Sequence, residues 1–187
     1  MHDRIKGFGL GLLGGVAGLV GMRLAQRLAA PIVKPRAPGS TDVFVTESTS
    51  LLGWRHGPDE AANEALARIA YEALLHRAPS TRTKQRLAWL FHVGYGLLMA
   101  ALYGALAPPS GRGARRRPGH ATRRAVRSGA AFGAALWLVG DELALPLLGL
   151  SDKPTAYHPT RHLQALAAHL GYGVATAATT QALRSLT

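Results

Sequence analysis

Cysteine is absent from the 187 residues, which excludes a disulfide framework, a thiol nucleophile and a thiolate metal site. Acidic residues are scarce: 10 Asp and Glu stand against 22 Lys and Arg, for a net charge of +12. So basic a chain seeks anionic partners, either nucleic acid or anionic lipid. Aromatics make up only 6%, and none lies among the arginines of residues 112–127. Bases would find nothing to stack on there, so nucleic acid is not the expected partner. No serine has the setting of a nucleophile elbow and no glycine loop follows a strand to cradle phosphate. The chain therefore reads as a non-enzyme.

What is present is apolar sequence in blocks. Mean hydropathy is near zero, yet four strongly apolar runs alternate with charged ones. A bilayer demands such separation, whereas a soluble amphipathic helix mixes polar and apolar residues within each turn. The 22 glycines fall mostly inside the apolar runs. Soluble helices avoid glycine there, and membrane helices use it for close packing.

The expected class is all-α: a four-helix transmembrane bundle of two related hairpins, in a single integral membrane domain. The spans are placed at about 7–29, 87–107, 128–149 and 162–183. About 20 helical residues at about 1.5 Å each cross a hydrocarbon core of about 30 Å. The first run has the outline of a signal peptide, a basic start and small residues near Ala29 and Ala30. Its four-residue glycine spacing favours a retained helix: Gly7, Gly11 and Gly15 on one face, Gly14 and Gly18 on another. Gly129 and Gly133 repeat that spacing in the third run. These glycines are expected to pack the bundle or to join copies into a homo-oligomer.

An extramembrane insert occupies 31–85. Pro31, Pro35, Pro38 and Gly39 break regular structure. Pro58, with Asp59 and Glu60, is expected to open an amphipathic, non-spanning helix over about 58–76. That helix packs on the protein or lies at the membrane surface. Residues 108–127 form a basic loop whose Arg112, Arg115, Arg116, Arg117, Arg123 and Arg124 are expected to contact anionic lipid. Short Arg-rich loops stay on the cytoplasmic side, so both termini are read as cytoplasmic.

A pentapeptide occurs twice: His92-Val93-Gly94-Tyr95-Gly96 and His169-Leu170-Gly171-Tyr172-Gly173. Aligning Pro31 with Pro146 also matches Gly14 with Gly129 and Gly18 with Gly133. An internal repeat follows, with halves related about the membrane normal. In this reading His92 and His169 lie about two turns inside the non-cytoplasmic boundary. Tyr95, Tyr172, Asp141, Glu142, Arg23 and Arg27 fall near the same level. Ionisable groups in a bilayer normally face the bundle interior with partners, so these eight residues are expected to form a buried polar layer. The foremost role for the layer is structural, and no cofactor is expected. One alternative is a haem or a divalent metal on His92, His169 and Glu142. Another is proton sensing or proton and solute conduction through the histidine and carboxylates. His56, His76, His120 and His158 lie in connectors and are read as solvated.

The chain resembles the YagU-like bacterial inner-membrane proteins, small four-span chains without an assigned activity. The residues that carry the likeness are Lys34-Pro35-Arg36-Ala37-Pro38 followed by Asp42 and Phe44, then Pro146-Leu147-Leu148-Gly149-Leu150 followed by Pro154, and the centre of the last helix around His169. The likeness covers about residues 10–184. That centre reads Ala168-His169 here rather than Gly-His. The resemblance implies a multi-pass protein of a bacterial inner membrane and supplies no reaction, so no catalytic residue is carried over.

Overall fold

The structure is a computed structural model that describes residues 2–30, 50–58, 60–107 and 119–186. The family-like stretch 34–44, the acidic Asp59 and the arginines 112–117 lie outside the described residues. Helix dominates, and no strand occurs among the described residues. In chain order the elements are α1 (His2–Ala29), α2 (Ala62–Leu75), α3 (Thr81–Leu106), α4 (His120–Leu136), a π-helical stretch (Trp137–Ala144), α5 (Leu145–Leu148), a 3-10 turn (Pro154–Ala156) and α6 (Pro159–Leu186).

Three helical runs are long and apolar enough to cross a membrane: Asp3–Ala29, Thr81–Leu106 and the continuous run His120–Leu148. All begin earlier than the apolar blocks alone predict, because a helix need not stop where lipid does. Arg123, Arg124 and Arg127 simply continue α4 on its exposed face. The fourth long helix, α6, has 28 residues but carries Gln164, His169, Thr176, Thr179 and Thr180. It does not reach the apolarity of the other three.

The run from α4 to α5 changes winding. Pro146 has no N–H to give to the carbonyl one turn back, and its ring crowds that carbonyl. The wider π winding over Trp137–Ala144 ends just before it. Gly149 then closes α5 in the left-handed region, φ 76°. Its N–H donates to Pro146 O at 3.0 Å and that of Leu150 to Leu145 O at 2.9 Å, the paired bonds of a Schellman ending.

The contacts divide the chain into two compact units: Met1–Pro35 with Tyr95–Trp137 and His162–Thr187, and Arg36–Gly94 with Leu138–Arg161. In the first unit α6 is the hub. Gly14 and Gly18 of α1 meet Thr180, Thr176 and Tyr172, and Gly21 meets Gly171 and Ala175. Gly129 and Gly133 of α4 meet Gly173, Val174, His169 and Leu170. On another face of α1, Gly7, Gly11 and Gly15 meet Gly104, Ala101, Ala100 and Leu97 of α3. Residue numbers rise in one helix as they fall in the other at each of these contacts. So α1 runs antiparallel to α3 and α6, and α4 runs antiparallel to α6. The core cluster is Met22, Ala100, Ala168 and Tyr172, with Leu19, Phe132 and Leu136 against it.

In the second unit, hydrogen bonds at a helix end join two segments distant in sequence. Residues 50–56 cap the exit of α5: Leu51 N–H donates to Leu147 O at 2.9 Å, Ser50 Oγ to Leu148 O at 2.9 Å, and His56 N–H to Gly149 O at 2.9 Å. Those are the carbonyls a helix end leaves without partners. The Trp54 carbonyl passes so close to Gly149 that a Cβ there would collide with it. Gly149→Ala therefore meets both strain and a clash, and should cost about 2–3 kcal/mol. Faster hydrogen exchange of the Leu51 and His56 amides is the expected signature.

The non-spanning helix starts at Ala62, four residues later than expected. Glu60 is not in its first turn. It folds back so that Gly57 N–H donates to Oε2 at 2.9 Å, and Arg68 and Lys84 both reach it. The helix ends at His76 in the left-handed region, φ 51°. Ser80 caps α3 by accepting from Thr83 N–H at 3.2 Å.

Candidate functional site

The chemistry of interest is the polar set inside an apolar protein. In the first unit a seam of hydroxyls follows α6. The Tyr172 hydroxyl donates to the Gly96 carbonyl of α3, and its ring lies 6.0 Å from that of Phe132. Thr176 and Thr180 are fully buried. Their Oγ1 atoms press against Gly18 and Gly14 and find no conventional hydrogen-bond partner among the described residues. Close approach of this kind brings glycine Cα–H groups to oxygen, a weak attraction that recurs where helices cross. One level on, the Tyr103 hydroxyl and Ser128 Oγ are 2.8 Å apart, with the Tyr103 ring 4.8 Å from Phe132. At the end of the seam Arg184 donates to the carbonyls of Gly104 and Ala107. A cation there satisfies the last turn of α3 and suits the negative end of its dipole.

The seam is apolar-compatible packing, with each polar atom turned onto a neighbouring helix. Tyr172→Phe keeps the ring contacts and removes the bond to Gly96 O. It should cost about 1 kcal/mol, read as a small fall in melting temperature in detergent. Tyr172→Ala should cost about 3–5 kcal/mol by opening a cavity.

This seam differs from the polar layer expected from the sequence. Of those eight residues only Tyr172 is buried, at 2% exposure. His92, Arg23 and Arg27 are exposed, and Tyr95 is 50% exposed. His169 is half-buried, with Nδ1 2.9 Å from the Ala165 carbonyl of its own helix. Asp141 and Glu142 are half-buried in the π-helical stretch. The reason is rotational phase. Tyr95 and Gly104 are nine residues apart, two and a half turns, so they lie on opposite sides of α3. Gly104 is the residue that faces α1, which turns Tyr95 away from that helix and leaves it half-exposed. In α6, partners from α1, α3 and α4 surround more of the helix, and the equivalent Tyr172 is enclosed. The two copies of the pentapeptide therefore occupy unlike settings.

Among the described residues no group of three or more His, Asp or Glu is placed to hold an ion. The glycines Gly7, Gly11, Gly14, Gly15, Gly18, Gly129 and Gly133 all meet helices of their own chain. Of the arginines expected to contact anionic lipid, Arg123 and Arg124 are exposed.

A second polar set lies in the connectors. His56, expected to be solvated, is 16% exposed; its Nε2 is 3.3 Å from Asp152 Oδ1. Asp152 N–H donates to the Tyr157 hydroxyl at 3.1 Å, and the Arg161 guanidinium lies 4.0 Å from the Tyr157 ring centroid. Burial pushes the Tyr157 phenol above its ordinary 10, against the opposing pull of the Asp152 N–H and of Arg161. No local sequence signal pairs residue 56 with residue 152. His76, His120 and His158 are exposed.

Around Glu60, Arg68 Nη2 approaches to 3.0 Å and Lys84 Nζ to 3.1 Å. Burial pushes this carboxyl up, but the hydrogen bonds from Arg68, Gly57 N–H and Lys84 outweigh it and hold the pKa at about 2. The same carboxylate raises Arg68 above its usual value.

No protein-family model, curated protein or solved structure matches the chain.

Proposed function

We propose that the chain is an integral membrane protein with four spans, α1, α3, the run from α4 to α5, and α6, and that its role is structural or in assembly rather than catalytic. One observation carries this reading. Small residues fill the interior and large apolar ones cover the outside. Ala100, Ala101, Thr176 and Ala177 are buried, while Leu13, Val16, Val20, Leu102 and Val139 are 40–59% exposed. Water would drive the opposite arrangement, whereas lipid rewards close backbone approach and tolerates exposed leucine.

The low apolarity of α6 fits the same reading. Contacts from three other helices shield much of its circumference, so it presents less surface to acyl chains. Thr176, Thr180, Gly171 and Gly173 of α6 face neighbouring helices. The basic residues Arg4, Lys6, Arg123, Arg124, Arg127 and Arg184 gather at one end of the spans by the helix directions, which supports termini on the cytoplasmic side. A bacterial inner membrane is the setting that the YagU-like resemblance favours. The internal repeat is kept as a proposal about ancestry only: Gly14 and Gly18 and their counterparts Gly129 and Gly133 all pack on α6, so the matched glycines do not meet matched partners.

The reading is tested by alkaline extraction of membranes from expressing cells. Retention of the full-length chain in the pellet, with release only by detergent, is expected. Release by carbonate alone contradicts it.

A further inference from the structure

The N-terminal turns of α3 carry a face that the bundle does not use. Arg82, Gln85, Arg86, Trp89 and Leu90 line an open groove. Their spacing puts all five on one side of the helix, and all are exposed. Lys84, between them in sequence, turns elsewhere and is held by Glu60 at 3.1 Å and Glu64 at 3.8 Å. Neither Arg82 nor Arg86 is in an ion pair among the described residues.

Helix length sets the level of this groove. The 26 residues of α3 extend about 39 Å, and a hydrocarbon core is about 30 Å thick. The excess is about six residues. The C-terminal end of α3 is apolar through Leu106, whereas Thr81-Arg82-Thr83-Lys84-Gln85-Arg86 is polar throughout. The excess therefore falls at the N-terminal end. Arg82 and Arg86 then stand at headgroup level, with Trp89 and Leu90 in the first turn among the acyl chains. Tryptophan favours that boundary.

We propose that this face binds an anionic phospholipid. Its phosphodiester is held between Arg82 and Arg86, Gln85 donates to a headgroup or glycerol oxygen, and the first acyl methylenes lie on Trp89 and Leu90. Charge complementarity selects the occupant: two guanidiniums one turn apart, with no carboxylate between them, match a phosphate that carries no ammonium of its own. The site is at the opposite end of α3 from the basic loop 108–127, so it serves the other leaflet. The proposal rests on the membrane reading above.

The test uses the full-length chain in nanodiscs with a photoreactive phosphatidylglycerol, followed by peptide mapping. Crosslinks are expected in the peptide that contains residues 82–90. The Arg82→Gln/Arg86→Gln variant should lower that yield about tenfold with unchanged melting, and Arg123→Gln/Arg124→Gln should leave it unchanged. Three results overturn the proposal: equal labelling by the phosphatidylcholine analogue, an unchanged yield in the Arg82/Arg86 variant, or loss of labelling on addition of inorganic phosphate or an acidic peptide. Any of these leaves the spans intact, whereas carbonate release would remove both readings.

Discussion

Leucine in place of Gly133 is expected to abolish the native packing of α4 on α6. Even a Cβ at this position would strike the His169 carbonyl and lie 3.1 Å from the Leu170 Cα. Backbone atoms cannot step aside without moving the whole helix, so the two axes must separate. Overpacking in a close-packed interior typically costs about 1–3 kcal/mol, and an isobutyl group at a backbone contact belongs at or above the top of that range. Detergent-extracted Gly133→Leu should show a lower melting temperature and a broadened or aggregated size profile. Gly9→Leu is the control: a Cβ on Gly9 would find nothing within 4 Å, and this variant should behave as wild type. Equal behaviour of the two variants would contradict the assigned helix contact.

Glu60→Gln is expected to loosen the connector that precedes α2. Glu60 is only 6% exposed and joins Arg68 to Lys84, which are 28% and 25% exposed. Removing one partner from a fully buried ion pair costs about 3–5 kcal/mol. Partial exposure of the two cations lets water screen them, so about 2 kcal/mol is expected here. The pH dependence has a definite sign. The carboxyl pKa is lowered from 4.5 to about 2 in the folded protein, so its contribution is fully present above 4.5 and is lost as pH falls toward 2. Protection of the α2 amides, taken relative to the intrinsic exchange rate at each pH, should fall across that window in the wild type. Glu60→Gln should exchange fast already at neutral pH and show no such step.

Much of the helical framework could be read from the sequence, because a bilayer imposes a coarse rule. Apolar runs of about 20 residues mark helices, and α1, α3, the continuous run from α4 to α5, and α6 carry the four runs. Small residues four apart mark close crossings, and Gly7, Gly11, Gly15 and Gly129 lie at such crossings. The partner was not legible. Spacing shows that a face is small but not which helix meets it, so the convergence of α1 and α4 on α6 emerges only in three dimensions. Rotational phase was not legible either. The pentapeptide around His92 and that around His169 are alike in sequence, yet contacts elsewhere on each helix turn Tyr95 outward and Tyr172 inward. The pairing of α5 with residues 50–56, and of His56 with Asp152, joins segments about a hundred residues apart, with no local signal at either end. The start of α2 shifted because Glu60 gains more from Arg68, Lys84 and Gly57 N–H than from a first-turn position.

The hydroxyl-lined seam also bears on what the interior can do. Thr176, Thr180, Tyr103, Ser128 and Tyr172 hold helices together at neutral charge. Their i, i+4 pattern on α6, set against Gly14 and Gly18 at the same spacing on α1, was the available clue. It matches hydroxyl to glycine rather than cation to carboxylate.

The central claim is that α6, the least apolar of the long helices, crosses the membrane at the heart of the bundle. Because the chain has no cysteine, single substitutions Thr122→Cys, Thr155→Cys and Ser185→Cys can each be labelled with a membrane-impermeant maleimide in intact and in lysed cells. All three positions are exposed. Thr155→Cys should react in intact cells, and Thr122→Cys and Ser185→Cys only after lysis. A complete reversal of that pattern would invert the orientation but keep four spans. Labelling of Thr155→Cys and Ser185→Cys from the same side would contradict the crossing of α6, and with it the account of the bundle.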